Sequence, residues 1–435
     1  MNDSTSILFG MPEIAVVDVE RVADDGGKSG RLVHIERPED WAACPECGVI
    51  STSVRQRRTT RPRDLPYGEE PIRVHWHKRQ FACKEPLCAR KAFTEAVAEI
   101  PPRARVTGRL CRAVAHQVAS GRSVAAVGRQ YRLGWPLVHR HFAIHADAVL
   151  PEPEPPHVLG IDETRRGRPQ WIKNEATGRW TRTELFETNF VDLSGSGGLL
   201  GQAAGRTGKA VVDWLNTRGH AWKNQVRLVA IDPAACYRTA IKQALPHAVI
   251  VVDHFHLVAL AGKALTAVRQ RITREHRGRR GRAADPEWAN RRRLLRGRER
   301  LSERTFTRMW NDLIDHELTG QILTAWIAKE ELRSLLACAR EQAPRSVISH
   351  RLHRFLSWCA DSDIPELLTL AETIDAWWPE TLAFITTGIT NARTEGTNRL
   401  IKDAARVAFG FRNLTNQRRR VRLACTHQTI NVPAA

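Results

Sequence analysis

Short apolar runs of strand length recur along the chain, and they come in two textures. In residues 1–43 the runs Ile14–Val19 and Leu32–Ile35 flank the turn residues Asp25-Gly26-Gly27. That spacing predicts a small β-rich lead-in. Beyond residue 157 the runs are apolar almost throughout: His157-Val-Leu-Gly-Ile-Asp162, Val226-Arg-Leu-Val-Ala-Ile-Asp232 and Ala248-Val-Ile-Val-Val-Asp253. Strands of this kind lie in a sheet covered on both faces, and helix-like sequence follows the second. The expectation is an α/β sheet.

Two regions read as helical. In 107–147, Thr107 caps a helix over 108–119, Gly121 breaks it, and Ser123 caps a second over Val124–Tyr131. Leu133-Gly134-Trp135 then makes a tight turn, and Pro136 opens a third helix running through His145. This is the helix-turn-helix spacing, which would turn His139 and Arg140 toward a DNA major groove. An ordinary three-helix packing unit has the same pattern. A stiff linker, Pro151-Glu-Pro-Glu-Pro-Pro156, follows. Residues 258–386 show helical periodicity with almost no strand signal and hold six of the thirteen tryptophans: 288, 310, 326, 358, 377 and 378. Most are expected in the core, with one or two left to stack on bases. No apolar run reaches the roughly 20 residues of a membrane span, and the first residues lack a secretion-signal pattern. The expected location is the cytoplasm.

Charge narrows the function. The formal net charge is +20, with 56 Arg against 11 Lys. A protein this basic is expected to bind nucleic acid, where each neutralised phosphate releases counterions. Residues 269–308 hold fifteen arginines against five acidic residues, including Arg291, Arg292 and Arg293. Arg418-Arg419-Arg420 is a second candidate for DNA contact, although a charge run also suits a solvated helix face.

The nine cysteines are an odd number, which argues against a disulfide framework. Four of them form two close pairs, Cys44/Cys47 and Cys83/Cys88, within 44–98. Such pairs on tight turns place four thiolates around a structural Zn²⁺, which would stabilise a module with little apolar surface. His75 and His77 lie on the intervening strand and read as surface or phosphate contacts. The other cysteines (111, 236, 338, 359 and 425) read as core filling.

Three aspartates, Asp162, Asp232 and Asp253, end the apolar strands, where ligands of open α/β sheets bind. A single one reads as a helix cap. Two or three together in a basic protein point to a divalent metal such as Mg²⁺, which favours carboxylate and phosphate oxygens. Far downstream, Glu395, Asn398 and Lys402 share one helix face at i, i+3 and i+7. They could be a metal ligand, an amide and a phosphate-binding cation, or a solvated Glu–Lys face.

The order of these motifs resembles the ISL-three family of bacterial insertion-sequence transposases, in the DDE superfamily. The resemblance runs over essentially the whole chain. It rests on the cysteine pairs with Phe93-Thr94-Glu95, on Gly160-Ile-Asp162-Glu163, on Ile231-Asp232 with Tyr237, and on Val252-Asp253-His-Phe-His256. Asn391 to Lys402 and Phe409-Gly-Phe-Arg-Asn413 complete it. It implies a multidomain α/β protein: a lead-in (1–43), a four-cysteine zinc module (44–98) and a helix-turn-helix (105–148). These precede a ribonuclease H-like catalytic core (157–257 and 389–435) interrupted by an α-helical insertion (258–388). It assigns Asp162, Asp232 and Glu395 as a catalytic triad holding two Mg²⁺ (or Mn²⁺) ions. Asp253, His256, Asn391, Asn398 and Lys402 would support them. The implied partners are DNA, as terminal inverted repeats and target, and a second copy on that DNA, with no membrane and a place at the nucleoid. Two departures stand out: the Arg-rich Thr164-Arg-Arg-Gly-Arg168, and Thr390-Asn391-Ala392 before the glutamate. A domesticated relative acting only as a DNA-binding regulator is the alternative, against which the three carboxylates argue. A covalent Ser or Tyr recombinase is a third, but only tyrosines 67, 131 and 237 are present.

Overall fold

A computed structural model describes residues 4–23, 29–68, 72–195, 198–317 and 319–430. The chain divides into two units, Met1–Pro151 with Asp403–Ala424, and Glu152–Lys402 with Cys425–Ala435.

In the first unit the lead-in and the cysteine module are not separate. Ser29–Glu36 pairs in parallel with Ile72–Ala82, and the strands run Ala15–Ala23, Ser29–Glu36, Ile72–Ala82, Val54–Thr60. Val16, Val33 and Ile35 share one core with Val74, Trp76, Val97 and Ile100. Neither segment has enough apolar surface alone, so the two combine. Ala42–Ala43 and Ile50–Ser51 make a separate small ladder at the first cysteine pair.

Three helices follow: Gly108–Ala119, Val124–Gln130 and Trp135–Val149. Thr107 and Ser123 cap the first two, accepting from the N–H groups of Leu110 and Ala126. The third runs four residues past His145, its core face continuing through Phe142 and Ala146. Gly128 is required by the turn: a Cβ there would lie 2.9 Å from the Leu133 carbonyl oxygen. The expected final segment, 389–435, is divided between the units. Leu423, on the Leu414–Ile430 helix, joins Leu110, Val114, Val138 and Phe142 in one core, and residues 403–424 belong with the three helices.

In the second unit the strand order is Leu199–Ala204, Phe186–Asp192, Val158–Arg165, Leu228–Ile231, Val249–Val252. The first two pairings are antiparallel and the last two parallel. Leu159, Ile161, Val229, Ile231, Val251 and Val252 are buried, as continuous apolar runs require. Helices then dominate from His254–Arg277 to Trp378–Thr387. Trp326 and Trp377 are core residues there, while Trp358 remains 37% exposed. Among the described residues no helix is long and apolar enough to cross a membrane.

Candidate active site and metal centres

The parallel register aligns the carboxyl ends of three neighbouring strands. Asp162 lies within Val158–Arg165, Asp232 follows Leu228–Ile231, and Asp253 follows Val249–Val252. Asp253 is the helix cap that a lone aspartate suggests: its Oδ1 accepts from Phe255 N at 3.2 Å. It also faces His256, whose Nε2 lies 3.0 Å from Asp232 Oδ2. Asp232, Asp253 and His256 each offer a ligand atom within 4.8 Å of the others.

The electrostatics separate the three carboxyls. Burial, then the Asp232 charge, pushes Asp162 up to about 7. Burial pushes Asp232 up to about 6, against the pull of His256. Burial also opposes ionisation of Asp253, but the adjoining His254 and His256 imidazoles and the Phe255 N–H hold it well below the usual carboxylate range. The Asp253 carboxylate in turn raises His256. Two adjacent carboxyls that resist ionisation mark a site short of positive charge, and Asp232 Oδ1 is buried with no hydrogen-bond partner. The two carboxylates of the Asp232–Asp253–His256 cluster, with one imidazole nitrogen from His256, are donors that fit a divalent cation, and Asp162 stands outside the cluster.

The helix Ala392–Val407 is brought against this site. Asn398 Nδ2 donates to Asp162 Oδ2 at 2.6 Å. Asn398 Oδ1 accepts from Asn189 Nδ2 at 2.9 Å, and Asn189 Oδ1 accepts from Gln202 Nε2 at 2.7 Å. All three amides are buried. The direction is dictated from the acid end: an ionised Asp162 only accepts, so Asn398 must donate and each amide oxygen faces the next donor. Asn391 is buried beside Asp232 and lowers its pKa. The close approach needs Gly160, where a Cβ would lie 2.3 Å from Thr394 Oγ1 and 3.1 Å from Asn391 Oδ1. Glu395 is exposed one turn before Asn398, and it is outside the Asp232 cluster of ligand atoms. Lys402 is exposed. Tyr237 donates to Glu163 Oε2 at 3.1 Å.

The sequence reading missed Asn189 and Gln202. Their strands read as polar because Glu187, Thr188, Asn189 and Gln202 are all buried polar residues. A polar residue at a strand's core-facing position was the available signal.

The four predicted cysteines converge. Cys44 Sγ lies 4.0 Å from Cys88 Sγ, Cys47 Sγ lies 3.5 Å from Cys83 Sγ, and all four fall within 4.8 Å. A tetrahedron with metal–sulfur bonds of about 2.3 Å has edges of about 3.8 Å, so the set fits zinc. His77 instead meets His34 at 2.8 Å and Thr59 at 3.0 Å, and neither it nor His75 joins the cysteine cluster. Of the remaining cysteines, 338, 359 and 425 are buried, but Cys236 is exposed.

Several predicted DNA contacts are engaged internally. Arg420 is 7% exposed; its guanidinium donates to the carbonyls of Val118 and Arg122 (2.9 Å for the latter) and lies over Phe142. It closes the end of the first of the three helices. Arg419 pairs with Asp147 at 2.7 Å. His139 is half-buried and stacks on Trp135 at 4.7 Å. Arg291 lies over Trp288 and donates to its carbonyl, and Arg293 donates to Asn290. Arg140 and Arg292 are exposed, and Arg418 is half-buried. Arg271, Arg277 and Arg279 spend their charge on Glu366, Glu287 and Asp285. The basic character of 269–308 is thus partly internal cross-linking.

The chain matches three family models in order. A zinc-finger model of the transposases IS204, IS1001, IS1096 and IS1165 covers residues 41–88, and a helix-turn-helix model of ISL3 transposases covers 95–143. An ISL3 transposase model covers 159–421, more than half of the chain. Among curated proteins it is 26% identical over 404 residues to the transposase for insertion sequence element IS1001 of Bordetella parapertussis, covering 91% of this chain and 92% of that one. It is 28% identical over 248 residues to the transposase for IS1557 of Mycobacterium tuberculosis, covering 54% and 55%.

Proposed function

We propose, from the premise that this chain belongs to the ISL3 family of transposases, that it cuts and joins DNA with Asp162, Asp232 and Glu395. The observation that carries this reading is the alignment of Asp162 and Asp232 on adjoining parallel strands, with the Glu395 helix tied to Asp162 through Asn398. The mixed sheet, with antiparallel strands preceding parallel ones, supports a ribonuclease H-like core, and residues 258–388 its helical insertion.

Two divalent ions, held by these three carboxylates, would activate the attacking oxygen and stabilise the leaving one. The protein's own part is positioning. The Gln202–Asn189–Asn398 chain fixes the Asp162 carboxylate. His256, 3.8 Å from Asp253, faces Asp232 at 3.0 Å and would keep that carboxylate turned toward the site. Glu395 is exposed, one turn before the Asn398 that holds Asp162, and would complete the carboxylate set from that helix. The first step is water attack at the transposon end; the freed 3′-hydroxyl then attacks target DNA. The zinc module and the three helices would hold the terminal inverted repeats, and two ends would call for two copies.

The test is transposition in cells of a marker flanked by the element's own ends. Wild type should give junction products. Asp162→Asn, Asp232→Asn and Glu395→Gln should each give none while still binding the ends. Products from Glu395→Gln would remove it from the triad.

A further inference from the structure

The strand that carries Asp162 continues into a segment with no role so far. Arg165 pairs with Phe186, and Arg166 N donates to Leu185 O at 2.7 Å, so the sheet's ladder runs on past the catalytic end. Five residues beyond Arg165 a hairpin begins: Gln170–Lys173 pairs with Trp180–Thr183. Its turn is built, with Asn174 Oδ1 accepting from Ala176 N and Thr177 N, both at 3.0 Å, and Gly178 at a φ of 67°.

The register decides what this hairpin presents. Trp180 lies opposite Lys173, and Trp171 opposite Arg182. Opposed residues share a face, and so do residues two apart along a strand. Trp171, Lys173, Trp180 and Arg182 therefore occupy one face, and Gln170, Ile172, Thr181 and Thr183 the other. The two indoles are 63% and 62% exposed, more than any other exposed tryptophan. Among the described residues no ring or cation covers either one. Arg182 has a partner in Glu184 at 2.8 Å; Lys173 has no ion pair among the described residues.

We propose that this face, on the hairpin that follows the Asp162 strand, is a stacking platform for unpaired DNA bases. Two indoles, each with a cation directly opposite, suit a polyanion carrying flat apolar rings. Residues 165–182 hold six cations (Arg165, Arg166, Arg168, Lys173, Arg179 and Arg182) against Glu175 alone. That balance repels a second copy of this basic chain and attracts phosphate. Paired bases cover their own ring faces, so the bases that fit are those unstacked at a cleaved end. The inference rests on the DNA-cutting reading above and deepens it.

The full-length chain, in EDTA so that nothing is cut, is titrated with a fluorescein-labelled oligothymidylate. A blunt duplex and the same duplex with a short 3′ thymidine overhang are the other probes. Trp171→Ala and Trp180→Ala should each weaken oligothymidylate and overhang binding roughly fivefold to a hundredfold, with the phenylalanine variants in between. Blunt-duplex affinity should hold. Ile172→Ser, on the opposite face, should change nothing. Lys173→Gln should lower the salt slope by roughly 0.7 on the single strand. Wild-type affinity for oligothymidylate in both alanine variants would overturn the proposal. So would equal losses on blunt duplex, or an equal loss from Ile172→Ser. A wild-type chain that binds none of the three DNAs would overturn the DNA-cutting reading as well. Binding with only the platform variants unaffected would sink the platform alone.

Discussion

Replacing Asn398 by leucine isolates what the buried amide chain does for Asp162. The side chains are similar in size, and the change removes one donor, Nδ2, from a 2.6 Å contact with a carboxylate oxygen. A hydrogen bond to a charged group contributes about 1.5–3 kcal/mol. At 1.36 kcal/mol per unit of pKa, losing it raises Asp162 by about 1–2 units, from a position that burial already sets near 7. The ionised form, which the divalent ion needs, then appears only at more alkaline pH. The assay is the pH profile of donor-strand cleavage at fixed Mg²⁺, with apparent Mg²⁺ affinity read by thermal shift on the uncleaving DNA complex. The acid limb should move alkaline by about 1–2 pH units, with activity recovering toward wild type above it. Asn398→Asp should move it further, because two carboxyls in contact share a proton. A uniform loss at every pH, with the acid limb unmoved, would refute the argument and make Asn398 a packing residue only.

Further outcomes are expected. Asp162 and Asp232 are both raised in the metal-free fold, so the folded chain keeps protons that the unfolded chain has released. Metal-free thermal stability should therefore fall as pH rises from about 4 to about 7, then level off, and Mg²⁺ should restore it near neutrality. Asp162→Asn should raise the metal-free melting temperature at pH 8, where the buried charge is mostly formed, while abolishing cleavage. Arg420→Gln should destabilise the three-helix region by about 2–4 kcal/mol, seen as faster proteolysis of 105–150, because carbonyls of Val118 and Arg122 lose a buried charged donor. Equal destabilisation by Arg140→Gln, an exposed residue of the third helix, would refute that distinction. Cys47→Ser should reduce bound zinc, measured by atomic absorption, and weaken end binding without altering the catalytic unit's own melting transition. Gly160→Ala should abolish strand transfer with end binding intact, since its Cβ would collide with Thr394 Oγ1.

Where sequence pattern and burial coincide, the chain was readable. The runs ending at Asp162, Asp232 and Asp253 are apolar because their strands are covered on both faces, so strand and site are marked by the same residues. The caps Thr107 and Ser123 and the cysteine pairs are local signals too: a hydroxyl three residues before an N–H, or two thiols on one turn, is read from adjacent residues, although the two cysteine pairs meet only on folding.

What depended on distant partners was not readable. Whether an arginine faces DNA or a carbonyl depends on the element packed beside it, and Arg420 in the run 418–420 went inward because two carbonyls of another helix end awaited a donor. Phe186–Asp192 was hidden because Glu187, Thr188 and Asn189 read as solvated residues, yet they are buried on an interior strand of the sheet. The joining of 1–43 to the cysteine module, and of 403–424 to the three helices, likewise followed from which apolar faces lacked cover. Residue order alone specifies the motifs, the strand ends that carry the aspartates, and the zinc pairs. Which buried amides aim at Asp162, and which cations remain outside, is settled only on folding, because hydrogen-bond direction and charge pairing are set by neighbours tens to hundreds of residues away.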